Sequence, residues 1–247
     1  MLRKLARACL PAAWLQRRAA QWRLRQGLRA ITGTVLEQYG YLNSLKVNRA
    51  VDAQGAPLPW YTYPAIQYLD ALDFSKAKIL EWGAGYSSAY WARRAANVAS
   101  VEHDPAWVAE IQPLLGASNH ALLVTTAAEE YIALPEPLAG RAFDLIVIDG
   151  LWRRACARTA VRRVGPGGMI LLDNSNWFPK TCAWLRAQGL WQVDFHGWCP
   201  STWNGSVTSL FVEKPAVMPA QGGALPGRCL AELPRDYDDH PEFGWPP

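Results

Sequence analysis

Residues 78–91 read KILEWGAGYSSAYW and contain the features that determine the fold. A short apolar run carries Glu81 and ends at two glycines one residue apart, Gly83 and Gly85. This order is typical of a buried strand that turns tightly into a helix. Glycine adopts positive φ angles and lets a ligand approach the backbone, and the helix, starting near Ser87, offers free N–H groups. The turn therefore predicts a bound ligand at the end of the strand, with a carboxylate acceptor beside it.

Short apolar runs alternate with amphipathic segments from residue 78 to residue 213. The pattern predicts strands at 78–82, 98–102, 121–125, 143–149, 169–173, 191–195 and 207–213, and helices at 87–96, 105–115, 127–134, 153–164 and 179–188. Continuously apolar strands between helices indicate a parallel sheet covered on both faces. The last two strands lack an intervening helix, so they should form an antiparallel hairpin at one edge. The predicted fold class is α/β: a Rossmann-like, doubly wound, mostly parallel seven-stranded sheet with an antiparallel C-terminal hairpin and N-terminal helices.

The composition divides the chain into three parts. Residues 1–50 form a basic helical extension, residues 51–214 the ligand-binding domain, and residues 215–247 a tail rich in proline and glycine. The tail lacks periodicity and is expected to be extended or partly disordered. Within the domain, residues 55–69 are rich in proline and aromatic residues and read as a loop, and the GPGG run at 165–168 reads as a turn.

Length, cysteines and hydropathy limit the class of protein. A chain of 247 residues that is 50% apolar can bury the core of one α/β domain. Its five cysteines are scattered without metal-ligand spacing, which favours a reducing compartment over a disulfide framework or a structural zinc site. No apolar stretch reaches the length of about 20 residues that a membrane span needs. We therefore expect a cytoplasmic protein.

The basic charge is concentrated at the N-terminus. Residues 1–29 contain eight basic residues and no acidic one, so a total of +4 leaves −4 on the rest of the chain (+4 − 8 = −4). These are Arg3, Lys4, Arg7, Arg17, Arg18, Arg23, Arg25 and Arg29, interleaved with leucine and tryptophan and interrupted at Pro11. Three interpretations remain open: a helix with a solvated basic face, an amphipathic helix on the anionic inner face of a membrane, and a cleaved targeting peptide.

A second acid indicates the class of ligand. Glu102 ends the second predicted strand, 17 residues after Gly85. An acid at this place accepts both hydroxyls of a ribose, so the pocket should bind a nucleoside-type cofactor. A nicotinamide dehydrogenase uses similar parts, but it places a pyrophosphate at the helix N-terminus, where Glu81 would add negative charge. S-adenosylmethionine carries an ammonium, a sulfonium and a ribose without phosphate, and it suits that carboxylate better.

These motifs resemble those of the class I S-adenosylmethionine-dependent methyltransferases. LEWGAGYSS resembles their first motif, VEHD (101–104) their second-strand acid, and FDLIVIDG (143–150) and GPGGMILLDN (165–174) their fourth- and fifth-strand blocks. The resemblance covers about residues 60–213. It implies cofactor contacts from Glu81, Gly83, Gly85, Ser87, Glu102, His103 and Asp149. Glu81 would reach the methionine ammonium directly or through water, and His103 would flank the adenine or occupy a solvated position in the loop.

Three oxygen-bearing residues predict where the methyl acceptor binds. Asp149 ends the fourth strand and Asp173 and Asn174 end the fifth, so neighbouring strands bring them to one edge. Two carboxylates and an amide oxygen suit Mg²⁺ or Ca²⁺. The trio is similar to that of the divalent-metal-dependent O-methyltransferases of small phenols, in which the metal lowers the pKa of the substrate hydroxyl. Those enzymes have a lysine where this chain has Trp152, followed by two arginines, which leaves metal dependence open.

The catalytic residues are expected to be His196, as the general base, and Asp149, as a metal ligand or, without a metal, as a substrate-orienting acid. His196 opens the predicted hairpin loop 196–205, which should overhang the site, and histidine titrates near neutral pH. The expected substrate is a hydroxyl of a small molecule or glycan, assisted by Mg²⁺ if the metal site forms. A nicotinamide-dependent oxidoreductase and a non-catalytic Rossmann-like binding module are the alternatives. No Asn/Asp-Pro-Pro-aromatic motif is present, so nucleic acid is not expected as substrate; the sequence makes no prediction of the oligomeric state.

Overall fold

The structure is a computed structural model that describes residues 12–134, 138, 140 and 142–213. The predictions made for residues 1–11, including the basic Arg3, Lys4 and Arg7 and the interruption at Pro11, lie outside the described residues. The same holds for the predicted tail at 215–247, so the division into domains stays a prediction.

One seven-stranded sheet organises the described chain. Its strands are β1 (Lys78–Trp82), β2 (Asn97–Glu102), β3 (His120–Val124), β4 (Phe143–Ile148), β5 (Val164–Leu172), β6 (Leu190–Trp198) and β7 (Gly205–Glu213). They lie in the order β3-β2-β1-β4-β5-β7-β6. Strands β1 to β5 are parallel, and β7 runs antiparallel to both β5 and β6. The predicted fold class is confirmed, including the hairpin, whose reversed strand β7 lies inside the edge strand β6.

The helices lie between the strands and before β1. They are α1 (Ala12–Ile31), α2 (Tyr41–Val47), α3 (Tyr63–Asp70), α4 (Tyr86–Ala92), α5 (Pro105–Ile111), α6 (Ala128–Ala133), α7 (Arg153–Arg163) and α8 (Pro179–Ala187). A π-helical segment, Thr32–Gln38, follows α1, and short 3₁₀ turns cover Gln112–Leu114 and Ser175–Trp177. No helix in the described part of the chain is long and apolar enough to cross a membrane.

Two local predictions were wrong. The segment 55–69 was read as a loop, but its second half begins α3, with Pro64 in the first turn of the helix, where the missing N–H costs nothing. The GPGG run was read as a separate turn, but it lies within β5. The ladder between β4 and β5 pairs Phe143 with Val164 and then Leu145 with Met169, so residues 165–168 bulge from the strand.

Both faces of the sheet are covered. Along β1, Leu80 and Trp82 pack into one hydrophobic cluster, whereas Ile79 packs into a second cluster on the opposite face. Residues in a strand alternate between faces, so a strand apolar at nearly every position needs cover on both sides. Of the two charged residues in this strand, Lys78 is exposed, whereas Glu81 is completely buried and requires a separate explanation.

The N-terminal helices differ in how they contact the domain. Every described side chain of α1 is exposed. In contrast, Tyr41 at the start of α2 donates a hydrogen bond of 2.8 Å to the carbonyl of Thr202, in the loop between β6 and β7. Just after α2, Asn48 accepts a hydrogen bond from Ser201. Part of the predicted extension 1–50 therefore packs beside the carboxyl edge of the sheet.

Candidate active site

A cavity of about 580 Å³ opens at the carboxyl ends of β1, β2, β4 and β5. The order β2-β1-β4-β5 reverses direction between β1 and β4, and ligands of open α/β sheets bind at such a switch point. The volume is in the range of small-molecule pockets. Of the residues predicted as site residues, all but Glu81 and His196 line this cavity: Gly83, Gly85, Ser87, Glu102, His103, Asp149, Asp173 and Asn174.

Gly83 is required by the fold itself. Its φ angle is +93°, and a Cβ atom at this position would lie 2.9 Å from the carbonyl carbon and oxygen of Asp149. The main chains at the ends of β1 and β4 therefore meet at a distance that only glycine permits. Gly150 belongs to the same contact, because a Cβ there would overlap the hydroxyl of Tyr131.

Gly85 has no such structural reason. Its backbone is extended, and a Cβ would meet nothing closer than the ring of Trp107 at 3.7 Å, an ordinary contact distance. Neither its conformation nor its protein neighbours exclude a side chain. Because Gly85 lines the cavity, the missing side chain leaves its backbone open to a ligand.

Glu102 holds the glycine turn in place. Its Oε1 accepts hydrogen bonds from the backbone N–H groups of His103 and Asp104, and its Oε2 accepts one of 2.9 Å from Ala84 N–H. The side chain is 4% exposed yet lines the cavity. Oε2 accepts the bond from Ala84 and has a further lone pair that a ligand hydroxyl could use. Glu102 therefore lines the cavity and also shapes the loop, and its contact with a ribose stays a prediction.

Glu81 lies outside the cavity wall. Its Oε2 accepts hydrogen bonds from Ser88 and Ser100, whereas Oε1 has no partner among the described residues. Ser88 also accepts a bond of 2.9 Å from the N–H of Gly85, so the carboxyl group supports the turn from behind. Burial raises the pKa of Glu81 to about 7. Glu81 is not among the residues that line the cavity, and its predicted contact with a ligand ammonium, directly or through water, stays a prediction.

Aromatic rings form one wall of the cavity. Trp60 stacks on Trp107 with ring centroids 6.5 Å apart and approaches Tyr86 at 6.3 Å, and all three rings line the cavity. The indole N–H of Trp107 donates to the carbonyl of Ala84, which fixes the ring against the glycine turn. His103 lies edge-on to Trp152 at 6.4 Å. Trp107 was missed in the sequence because nothing beside it marks it as a pocket residue.

Arg153 lies among the three residues predicted to bind a metal. Its guanidinium donates to the side-chain oxygens of Asp149 (2.9 Å) and Asn174 (3.1 Å). It also donates to the carbonyl oxygens of Asp149, Gly150 and Asp173. These five bonds join the ends of β4 and β5 through one side chain that is only 7% exposed.

The predicted divalent cation does not fit this arrangement. Asp149 Oδ1 and Asn174 Oδ1 already accept bonds from a guanidinium, and Asp173 Oδ1 accepts one of 2.6 Å from the hydroxyl of Thr208. Mg²⁺ needs carboxylate and amide oxygens that converge on one empty point, and here the converging oxygens surround a fixed positive charge. The metal hypothesis is corrected accordingly: the cation beside Asp149 is Arg153.

Burial and charge set the protonation of the two aspartates. Burial, together with the neighbouring charge of Asp149, raises the pKa of Asp173 to about 8 although Arg153 opposes this. Burial also raises the pKa of Asp149, and the adjacent guanidinium again opposes the rise. Asp149 forms the ion pair with Arg153 at 2.9 Å, and burial favours the neutral form of Asp173 beside it.

His196 does not reach the cavity. Strand β6 continues to Trp198, so His196 lies within the edge strand, opposite Val207, and its side chain is exposed. The loop begins at residue 199, three residues later than expected. Three of its polar residues line the cavity, Ser201, Thr202 and Asn204, together with Asn48 just after α2 and Ser206 near the start of β7.

Comparisons with known proteins identify the fold. No family model matches the chain, and no curated protein matches it in sequence. Among solved structures, 77% of the chain aligns with the whole of a Klebsiella pneumoniae protein described as a putative O-methyltransferase, at 22% identity and a TM-score of 0.53. The O-methyltransferase TomG of Streptomyces achromogenes, which is involved in tomaymycin synthesis, was solved with S-adenosylmethionine. It aligns over 96% of its own length with 76% of this chain, at 16% identity and a TM-score of 0.52. The chain has the fold of class I S-adenosylmethionine-dependent methyltransferases.

Proposed function

We propose that this protein transfers a methyl group from S-adenosylmethionine to a hydroxyl oxygen of a small molecule or glycan. The observation that carries this proposal is that one cavity contains two chemically different parts, side by side. One half contains the open backbone of Gly85 beside Glu102, and the other contains the carboxyl group of Asp149 beside Arg153.

The first half suits the methyl donor. Glu102 offers a free lone pair to ribose hydroxyls, Gly85 leaves room above its backbone, and the rings of Trp60, Tyr86 and Trp107 provide an apolar wall for an adenine. S-adenosylmethionine, when bound, supplies an electrophilic methyl group. The structure of TomG with this molecule supports the choice of donor.

The second half suits a hydroxyl acceptor. Asp149 is the carboxyl group that pairs with Arg153, and in its ionised form it can accept the proton that an attacking hydroxyl must lose. The amides and hydroxyls of Asn48, Ser201, Thr202, Asn204 and Ser206 can hydrogen-bond further hydroxyls of the same molecule. The methyl group would pass from the sulfonium sulfur to the acceptor oxygen, leaving S-adenosylhomocysteine, while Asp149 takes the proton of the acceptor hydroxyl; this arrangement would need no metal ion.

Calorimetry with S-adenosylhomocysteine and NAD tests the donor directly. We expect the first to bind and the second not to bind. Replacing Glu102 by Gln should weaken S-adenosylhomocysteine by about 1–3 kcal/mol, since hydrogen bonds to a charged group are lost. The exposed Glu110, which pairs with Arg49 away from the cavity, supplies the matched control E110Q. Binding of NAD alone would favour the oxidoreductase, and binding of neither would leave a non-catalytic module.

A further inference from the structure

Helix α1 presents an unusual set of exposed side chains. Trp22 and Leu24 are each 63% exposed, Leu28 is 54% exposed and Trp14 is 40% exposed. The helix runs for 20 residues, and its side chains, wherever described, point into solvent. Large apolar side chains grouped on a surface mark an interaction site more often than solitary ones do.

The large side chains occupy one side of this helix. At about 100° per residue, Trp14, Arg18, Trp22, Arg25 and Arg29 fall within an arc of about 80°. We call this stripe the Trp/Arg face. Arg17, Leu24 and Leu28 extend it on one flank. The opposite side carries mainly small or uncharged residues: Ala13, Gln16, Ala19, Ala20, Gln26 and Gly27, with Arg23 as its one charge.

The charge of this helix has one sign. Residues 1–36 contain no aspartate or glutamate. The guanidinium of Arg18 lies over the ring of Trp14 at 4.9 Å, so cationic and aromatic groups are interleaved rather than segregated. Tryptophan and arginine side by side suit the headgroup region of a membrane, where the ring is partly buried and the guanidinium meets phosphate.

We propose that α1 docks the protein on an anionic membrane surface through its Trp/Arg face. The exposed Leu24 and Leu28 favour a lipid surface over a polynucleotide, because aliphatic side chains gain from an acyl boundary and gain little from a phosphate backbone. The helix lies in the surface plane, consistent with the finding that no described helix is apolar enough to cross a membrane.

The test measures co-sedimentation of the full chain with lipid vesicles. We expect binding to vesicles of equal parts phosphatidylcholine and phosphatidylserine, weak binding to pure phosphatidylcholine, and loss of binding as salt is raised. Replacing Arg25 by Gln should lower partitioning about fivefold, and R18Q/R25Q/R29Q about a hundredfold. W22A should lower partitioning at low and high salt alike, because its contribution is apolar.

Arg23 provides the charge-matched control. It lies two residues from Arg25 but on the opposite side of α1, about one helix diameter and one Debye length farther from the surface, so R23Q should change partitioning less than about twofold. Equal losses in R23Q and R25Q, or equal binding to neutral vesicles, would overturn the proposal. So would binding to a single-stranded polynucleotide in the absence of vesicle binding. All these side chains are exposed, so the thermal midpoint should stay constant and exclude misfolding as the cause.

Discussion

Replacing Arg153 by Met should destabilise the protein severely. Methionine fills much of the same volume but removes all five hydrogen bonds of the guanidinium. Asp149 is then a half-buried carboxylate without a countercharge, and three main-chain carbonyls at the ends of β4 and β5 lose their donor. Breaking a buried ion pair by removing one partner costs about 3–5 kcal/mol.

Equilibrium unfolding in urea measures this loss of stability, and two further variants serve as comparisons. R153K retains the charge but not the planar fork that reaches both strand ends, so we expect an intermediate loss of stability. R49M removes an arginine whose ion pair with Glu110 is exposed, and it should cost less than about 1 kcal/mol. A folded R153M with a loss no greater than that of R49M would refute the role of Arg153 as the cation of the cluster.

Magnesium provides an independent check on the same reasoning. Because Arg153 bonds the side-chain oxygens of Asp149 and Asn174, and Thr208 bonds that of Asp173, Mg²⁺ should not raise the unfolding midpoint of the wild-type protein, and a chelator should not lower it. A clear stabilisation of the wild type by millimolar Mg²⁺, absent in D149N, would show that the trio binds metal after all.

Three other predictions follow from single positions. G85A should keep the wild-type unfolding midpoint and lose S-adenosylhomocysteine binding in calorimetry. G83A should lower the midpoint, because the φ angle at this position is positive and an added Cβ would meet the main chain of Asp149. Equal stability of the two variants would contradict this. Glu81 has a pKa of about 7 in the folded protein, above its ordinary value of 4.5, so the folded state keeps the proton to a higher pH than the unfolded state does. The free energy of unfolding therefore falls as the pH rises from about 4.5 to 7, and E81Q should show a smaller fall in urea titrations. The same sign applies to Asp173 between its ordinary pKa of 3.8 and about 8, so D173N should match the wild type below about pH 4 and exceed it increasingly as the pH rises to about 8, and an equal pH dependence of D173N and wild type would count against the raised pKa.

The features that the sequence predicted correctly depend on neighbours along the chain or on adjacent parallel strands. Gly83 follows a strand directly, and Glu102 ends the next strand in the sheet, so the fold brings them together in a way that strand order alone implies. The hairpin was predictable because no helix separates β6 from β7. These predictions required only the periodicity of apolar residues and the rule that parallel strands end at one edge.

The features that escaped prediction depend on side-chain direction. The sequence shows Arg153 beside Trp152, but the role of Arg153 depends on the direction of its side chain, which turns back across the ends of two strands. This direction follows from Trp152, which adopts a left-handed conformation with φ of 47° just before α7. His196 failed for a similar reason: two more paired residues in β6 keep it in the edge strand rather than in the loop. Neither the start of a helix nor the end of a strand can be located from composition to one residue.

The presence of an arginine in place of a metal changes what an acceptor must offer. A divalent ion with open positions holds a substrate through one or two oxygens that coordinate it directly, which selects molecules with adjacent oxygens. The guanidinium of Arg153 donates its N–H groups to Asp149, Gly150, Asp173 and Asn174, so it has no open position at which a substrate oxygen could bind. On the proposed function, the acceptor would instead be positioned by hydrogen bonds from the polar loop between β6 and β7, and a single hydroxyl near Asp149 would be sufficient. Since an arginine keeps its charge at any physiological pH, the ionisation of Asp149 would depend on proton concentration and not on metal supply.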